Sequence, residues 1–337
     1  MAIKKLERRL MLKRLGFGED PFMASADPRF LYLSSQHGEV LERARDVIEE
    51  FRGLAVVEGS YGVGKSSLAL RLESLYRGQP DEYRVVFIHT TNYESEFAGL
   101  QDMCDFIGVP HKRGLTKQWR AFEDFLVTEH EQARNVVIIL DDAQLMAADS
   151  LRIVHTLYNF DAGGRKLAQV ILFGQPELGF VFAMHPEIRS RVNSWFRLNP
   201  LSVEDTVELI RFRCKVAGRD EPLLTQSGYL DIYEASQGTP RAIVGLCARL
   251  LEKMTQNSET TASPKSLDAA IQDWRESYTG PLAMEDSDKQ PSTHAQPPDR
   301  PTSRRRKAAD APSRTADRVR SATPARKAGK RARRSPA

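Results

Sequence analysis

The sequence lacks the features expected of a membrane-spanning, disulfide-bonded or transition-metal protein. It has no uninterrupted run of about 18 apolar residues, and we therefore expect no transmembrane helix. Its N-terminus carries charges throughout, which argues against a secretory signal peptide. The three cysteines are far apart and form no C-x-x-C pair, which predicts buried, reduced thiols in a cytoplasmic protein. The seven histidines form no clustered ligand pattern.

The last sixty residues lack the apolar side chains that a folded domain needs. After Met284, Val319 is the only aliphatic residue larger than alanine, and Phe, Tyr and Trp are absent. Such a stretch cannot offset its ordering entropy by burial, so we predict disorder from about residue 279 onward. Residues 291–337 hold fourteen basic residues against three aspartates, a net charge of +11, whereas residues 1–290 carry −7. The basic tail suits a nucleic-acid backbone, with a solubilising or partner-binding extension as the alternative.

Residues 54–66 are the most informative stretch, because an apolar strand there runs into a glycine-rich turn and then a helix. Gly59, Gly64, Lys65 and Ser66 satisfy the pattern G-x-x-x-x-G-K-[ST]. Glycines let successive backbone amides turn inward around an anion, and the helix adds its own free amides. We expect the lysine to contact the β and γ phosphates of ATP and the serine hydroxyl to bind Mg²⁺. An ordinary glycine-rich turn is the alternative, but the flanking strand and amphipathic helix favour a phosphate-binding loop.

Alternating strands and helices follow this loop. Short, continuous apolar runs indicate strands buried on both faces, hence a mainly parallel sheet covered by helices; they occur at 54–57, 85–88, 136–140, 170–173 and 195–198. Helical patterns lie between them at 97–107, 117–133, 150–160 and 177–184. The sequence therefore predicts a three-layer α/β domain with its ligand at the carboxyl ends of the strands.

Four helical patterns without strands follow Pro200, at 203–216, 225–235, 241–254 and 264–274, and predict a small all-α lid. We expect four regions: an N-terminal basic helix and linker (1–51), the α/β nucleotide-binding domain (52–200), the helical lid (201–278) and the basic tail (279–337). The first helix places Ile3, Leu6, Leu10 and Leu12 or Lys13 near one stripe. It would lie on DNA, an acidic partner or a membrane surface, or pack through its leucines. A further helix is expected from about residue 36 to residue 51, and the proline-containing linker before it should hold that segment against the nucleotide-binding core.

Acidic and basic residues near the predicted strand ends complete a candidate ATPase site. Asp141 and Asp142 follow the strand at 136–140, where a carboxylate can hold Mg²⁺ and a second can act as general base toward water. Gln175 ends the fourth strand and offers a polar group near the γ phosphate. Arg189 and Arg191 follow; one of them could enter a neighbouring subunit's site as an arginine finger, and surface arginines are the alternative.

These motifs together resemble the AAA+ ATPases, and within them the ExeA-like group that also contains transposition regulators of the TnsC, TniB and MuB type. The resemblance covers about residues 16–256. It rests on GSYGVGKS (59–66), ILDDAQ (139–144), FGQPEL (173–178), IRSR (188–191) before NPLS (199–202), and GTPR (238–241), with the openings DPF (20–22) and DPRFLYL (27–33).

The resemblance implies specific roles at the matching positions. Asp141 and Asp142 would be the Walker B acids, Gln175 would lie near sensor 1, Arg191 would be the finger and Arg241 would be sensor 2. The nucleotide would contact Gly59, Gly62, Val63, Gly64, Lys65, Ser66, Ser67 and Arg241. Lys65, Asp142, Gln175 and Arg191 would act in catalysis, and Ser66 and Asp141 would bind Mg²⁺. The group usually has Glu in place of Asp142, and the shorter side chain implies slow hydrolysis.

Our first hypothesis is an ATP-dependent regulator of transposition. Subunits would close into a hexameric ring or helical filament on double-stranded DNA and recruit a transposase, with no membrane partner. Secretion members of the group generally continue into a membrane segment and a cell-wall-binding domain, which this sequence does not contain. The alternative is a cytosolic ATPase that powers or regulates assembly of a secretion or envelope complex. A scaffold that binds ATP without hydrolysing it is the third possibility.

Overall fold

The computed structural model describes residues 2–23, 27–147 and 149–278, and all of these fall within one compact unit. The tail predicted to be disordered lies outside the described residues. Within the described part of the chain, no helix is both long and apolar enough to cross a membrane. Cys104, Cys214 and Cys247 are buried free thiols, as predicted.

A five-stranded parallel sheet forms the centre of the α/β region. The strands are β1 (Leu54–Gly59), β2 (Tyr83–Ile88), β3 (Asn135–Leu140), β4 (Asp161–Ala162), β5 (Arg165–Lys166), β6 (Ala168–Gly174) and β7 (Ser194–Leu198). The order in the sheet is β2-β3-β6-β1-β7, and β4 and β5 form a separate antiparallel hairpin. All five predicted strands are therefore confirmed; the hairpin is too short to leave an apolar pattern in the sequence.

Helices cover both faces of the sheet and form the lid. They are α1 (Ala2–Arg14), α2 (Ser35–Glu49), α3 (Lys65–Arg77), α4 (Glu96–Ile107), α5 (Leu115–Glu131), α6 (Arg152–Asn159), α7 (Glu177–Ala183), α8 (Pro186–Arg189), α9 (Val203–Val216), α10 (Gln226–Ser236), α11 (Pro240–Gln256) and α12 (Pro264–Tyr278). The predicted helices are found within a few residues of their expected bounds, and α8 was not predicted.

Alternation along the strands divides the core into two apolar layers. In β1, Leu54 and Val56 pack with α4, α5 and α6, whereas Ala55 and Val57 pack with α2 and α3. Successive side chains of a strand point to opposite faces, and all six residues of β1 are buried. This arrangement confirms the three-layer architecture and leaves the strand ends as the place where polar groups meet.

The N-terminal region divides between the two parts of the structure. Helix α2 packs on the nucleotide-binding core, as expected, whereas the segment before it packs on the lid, which was not expected. Phe17, Phe22 and Phe30 are buried in the same apolar cluster as α9, α10 and α11. Within the predicted stripe of α1, Leu12 is buried, whereas Leu10 is 56% exposed and is therefore wrongly assigned. The aromatic residues of the linker, rather than its prolines, decide which surface it covers.

Two buried arginines fasten this segment to the lid. Arg213 of α9 donates hydrogen bonds to the backbone carbonyls of Pro21 (2.6 Å), Phe30 (3.2 Å) and Met23 (3.1 Å). Arg219 donates to the carbonyl of Leu15 at 2.7 Å. A guanidinium supplies several donors in a fixed plane, so one side chain satisfies several carbonyls that would otherwise be buried without a partner.

We predict that Arg213→Met lowers the free energy of unfolding by about 2 to 4 kcal/mol, because three carbonyls, two of them in buried hydrogen bonds, lose a charged donor. Urea denaturation followed by circular dichroism measures this change. Arg211→Met is the matched control, since Arg211 lies on the same helix with its side chain 50% exposed, and it should cost less than about 1 kcal/mol. Equal losses for the two variants would contradict the fastening role.

Candidate functional site

The phosphate-binding loop lies at the carboxyl end of β1 and depends on three glycines. Gly62 and Gly64 have φ values of 83° and 108°, in the left-handed region that disfavours other residues. A Cβ atom on Gly59 would lie 2.7 Å from the carbonyl oxygen of Leu198 on β7. These positions therefore require glycine, which is the geometric reason for the pattern found in the sequence.

Lys65 is folded back into the loop that precedes it. Its side chain is buried, and Nζ donates to the carbonyl oxygens of Gly59 at 2.8 Å and Ser60 at 2.9 Å. The pKa of Lys65 is lowered, because the effect of burial exceeds the opposing effect of the carboxylates of Asp141 and Asp142. The loop thus encloses an amine beside two acids, an arrangement suited to a phosphate group accompanied by a cation.

Ser66 and Asp141 bring two oxygen ligands together at the start of α3. The carboxylate of Asp141 is hydrogen-bonded to the side chain of Ser66, and burial raises the pKa of Asp141. A hydroxyl and a carboxylate side by side are a donor set that Mg²⁺ accepts, and a cation would compensate the buried carboxylate. These residues therefore fit the Mg²⁺ ligation predicted from the sequence. Ser67 and Val63 flank this centre, and Val63 is fully buried.

The backbone holds Asp142 in a left-handed conformation, with φ at 50°. Its amide donates to Oδ1 of Asp141 at 3.0 Å, and its carbonyl accepts from Oγ1 of Thr91 at 2.9 Å. Its own carboxylate is hydrogen-bonded to the side chain of Gln144. Asp142 thus lies next to Asp141, the predicted metal ligand, while its own carboxylate has a different hydrogen-bond partner.

The lid reaches the phosphate-binding loop through Arg241. Its amide donates to the carbonyl of Gly62 at 3.2 Å, and its guanidinium lies over the ring of Tyr61, 4.6 Å from the centroid. Tyr61 is itself 56% exposed. The predicted sensor residue is therefore positioned at the loop, where its contacts link the lid to the phosphate site.

His37 is a residue of this site that the sequence analysis did not identify. It lies in the first turn of α2, and its Nε2 is 3.0 Å from the carbonyl oxygen of Val63; its Nδ1 is 2.6 Å from Oγ of Ser34. A carbonyl only accepts, so Nε2 carries the proton and Nδ1 accepts from the serine. Gln36, next to it, binds both backbone groups of Asn199, at 2.9 and 3.2 Å. The isolated Ser-Ser-Gln-His sequence offered no pattern to find these contacts.

Arg189 and Arg191 are placed away from this centre. Arg189 lies over the ring of Trp195, 4.0 Å from its centroid, and Arg191 contacts Asn159 and the ring of Tyr158. The amide of Asn193, two residues after Arg191, binds the carbonyl of Leu54 at the amino end of β1. Since β1 has six residues at about 3.3 Å each, the phosphate-binding loop lies about 20 Å away.

The parallel order of the sheet, the loop at the carboxyl end of β1 and the adjoining helical lid define the P-loop fold of AAA+ proteins. A family model described as "AAA domain" matches residues 48–182. The chain is 29% identical over 240 residues to General secretion pathway protein A of Aeromonas hydrophila, a match that covers 70% of this chain and 43% of that protein. The chain thus spans less than half the length of this relative.

Solved structures have the same fold at low sequence identity. The ORC2 protein of Aeropyrum pernix matches with a TM-score of 0.58 at 13% identity, covering 80% of this chain and 75% of that one. Drosophila ORC bound to DNA matches with a TM-score of 0.58 at 12% identity, covering 82% and 67%. The predicted AAA+ architecture is confirmed by these matches, whereas the link to transposition regulators stays a prediction.

The buried imidazole of His37 leads to a prediction about acid stability. Burial lowers its pKa, and only the contact with Val63 and the more distant Asp205 oppose this effect. The unfolded chain therefore takes up a proton near pH 6.5 while the folded chain does not. This difference reduces the free energy of unfolding as the pH falls below about 6.5, and the loss ends once the pH is below the folded-state pKa.

We predict that His37→Gln weakens the pH dependence of stability between pH 7 and 5, because the glutamine amide still donates to Val63 but binds no proton. Urea midpoints at a series of pH values measure this dependence. The exposed His89 provides the control variant, His89→Gln, which should retain the wild-type slope. A wild-type slope in His37→Gln would show that this histidine does not cause the acid sensitivity.

Proposed function

We propose that this protein binds and hydrolyses ATP and that nucleotide binding drives assembly of its subunits. The observation that carries the proposal is the convergence of Lys65, Ser66, Asp141 and Asp142 at one end of the sheet, with Arg241 of the lid on the same loop. Such a convergence serves phosphoryl transfer to water better than binding alone, because a second acid is superfluous for holding a nucleotide.

Each residue of the site has a separate role in the proposed reaction. Backbone amides of the loop and Lys65 would hold the phosphates, and Ser66 and Asp141 would hold the cation. Mg²⁺, when bound, neutralises phosphate charge and orients the terminal phosphoryl group. Asp142 accepts a proton from the attacking water, and Gln175 contributes a polar group at the end of β6. The side chain of Asp142 is shorter than the usual glutamate, which favours a low turnover rate.

The proposed site is completed by a second copy of the chain. Arg191 lies at the amino end of β1, about 20 Å from the loop of its own subunit, so it can meet a phosphate only in a neighbour. Phe180 and Met184, one turn apart in and just after α7, are 76% and 79% exposed. Large exposed apolar side chains of this kind are typical of protein interfaces, and they lie on the segment that leads from Gln175 to Arg191.

We expect Lys65→Ala to abolish ATP binding, because the loop loses its buried cation. Arg191→Ala should bind ATP with normal affinity but lose assembly and about 1,000-fold or more in turnover, the range found for arginine fingers. Fluorescent-nucleotide titration, sedimentation velocity and phosphate release measure the three properties. Arg189→Ala is the control, since that guanidinium is stacked on Trp195. Normal turnover in Arg191→Ala would contradict its assignment.

We further propose that the assembly forms on double-stranded DNA and regulates transposition by recruiting a transposase. The basic tail supports this output, because clusters at 304–307, 326–327 and 330–334 provide a sequence-independent contact for phosphates. Two further features agree with it: the absence of aromatic residues there argues against base stacking, and the fold itself occurs in a DNA-bound protein, Drosophila ORC.

A role in assembling a secretion or envelope complex is the second candidate, and the sequence relative favours it. General secretion pathway protein A matches over 70% of this chain, while transposition regulators are supported only by the motif resemblance. In this case the tail would bind an acidic protein partner. A scaffold that binds ATP without hydrolysis is separated from both by measuring phosphate release.

An electrophoretic shift assay separates the two outputs. For the DNA-binding role we expect ATP to strengthen binding of duplex DNA at least about tenfold at moderate salt, and salt to weaken it steeply because bound counterions are released. Replacing the basic residues of the three tail clusters by glutamine should remove the shift without changing ATP binding. Absence of ATP-stimulated DNA binding in the full chain would leave the secretion role as the supported candidate.

A further inference from the structure

The side chain of Gln144 joins the hydrolytic base to the neighbouring strand. Its Nε2 donates to Oδ1 of Asp142 at 3.0 Å, and its Oε1 accepts from the amide of Gln175 at 2.9 Å. Both ends of one carboxamide are therefore used. We propose that Gln144 is a positioning residue that fixes the carboxylate of Asp142 relative to the end of β6, an inference that rests on the ATPase function proposed above.

The orientation of the Gln144 amide is determined by its partners. A carboxylate only accepts and a backbone amide only donates, so rotating the group by 180° would place oxygen against oxygen and nitrogen against nitrogen. Gln144 thus has one orientation in which both contacts form. It lies half-buried in the short 3-10 helix Ala143–Leu145 that follows Asp142, where burial strengthens such contacts.

Asp142 needs this partner because its backbone contacts do not fix its side chain. Its amide binds Asp141 and its carbonyl binds Thr91, which holds the main chain in the left-handed conformation. The carboxylate can still rotate about the bond to Cβ, and an aspartate has no further length with which to adjust to a water molecule. The Gln144 contact removes this freedom, so a productive orientation is present before substrate arrives.

The other end of the carboxamide connects the base to a segment that we expect to touch a neighbouring subunit. β6 ends at Gly174, where an added Cβ would lie 2.7 Å from the side chain of Leu178 and 3.4 Å from the backbone nitrogen of Gln144. This close approach makes the position of Gln144 depend on the connection from β6 to α7. α7 carries Phe180, which is exposed. Contact of a second copy with α7 would therefore shift the backbone amide of Gln175, to which Oε1 of Gln144 is hydrogen-bonded.

The test begins with Gln144→Met, which has a similar length but neither hydrogen bond. We expect kcat to fall about 10- to 100-fold, part of what a general base contributes, while KM and the affinity for ATP change less than about twofold. The assay is phosphate release at saturating ATP and at a protein concentration where the wild type is fully assembled. Gln272→Met, an exposed substitution on α12, is the control and should match the wild type.

A second variant, Gln144→Glu, distinguishes a loss of positioning from a folding defect. It keeps an oxygen for the amide of Gln175 but replaces the donor to Asp142 by a second carboxylate, so the chain should fold while kcat falls as in Gln144→Met. Unfolding midpoints confirm that both variants are folded. A rise in KM of more than about twofold, or a wild-type kcat in either folded variant, would overturn the positioning role.

A double-mutant cycle with Asp142→Asn distinguishes action through the base from a general structural effect. If Gln144 acts through Asp142, then adding Gln144→Met to Asp142→Asn causes no further loss of kcat, because residues that act as one unit are not additive. If the kcat losses of the two single variants multiply in the double variant, the inference is refuted while the ATPase function is left intact. A wild type that binds ATP but releases no phosphate would refute both.

Discussion

The carbonyl groups of the phosphate-binding loop are the constraint on which the rest of the site depends. A loop that turns its amides inward toward an anion turns its carbonyls outward, and each buried carbonyl needs a donor. Three residues donate to these four carbonyls: Lys65 to Gly59 and Ser60, the backbone amide of Arg241 to Gly62, and His37 to Val63. The donors come from α3, the lid and α2, so three elements meet at the loop because its backbone requires them.

The sequence predicted those parts of the fold that repeat a pattern along the chain. Continuous apolar runs predicted the five strands because strands buried on both faces need no polar residues. The glycine pattern predicted the loop because φ values of 83° and 108° exclude most side chains. The acids after β3 followed from their place at a strand end. Each of these inferences required only local spacing and the general rules of parallel sheets.

Contacts between distant segments could not be predicted in this way. His37 and Gln36 act through carbonyls 26 and 163 residues further along the chain, and a single sequence carries no record of such pairs. The packing of the linker on the lid was not predicted, for the same reason. Its phenylalanines show that it must be buried, but only the tertiary structure shows that the lid buries them. Gln144 lay within the motif that carried the resemblance, yet its bridging role depends on the position of β6.

The attachment of the N-terminal segment to the lid has a mechanical consequence. The chain passes from the lid cluster to the sheet between Phe30 and α2, and returns to the lid between β7 and α9. The two crossings lie side by side, since Gln36 is hydrogen-bonded to Asn199. One crossing would let the lid swivel in any direction, whereas two adjacent crossings leave a single axis, the line that joins them. Rotation of the lid about this axis would open or close the space beside the phosphate-binding loop, which the lid contacts through Arg241.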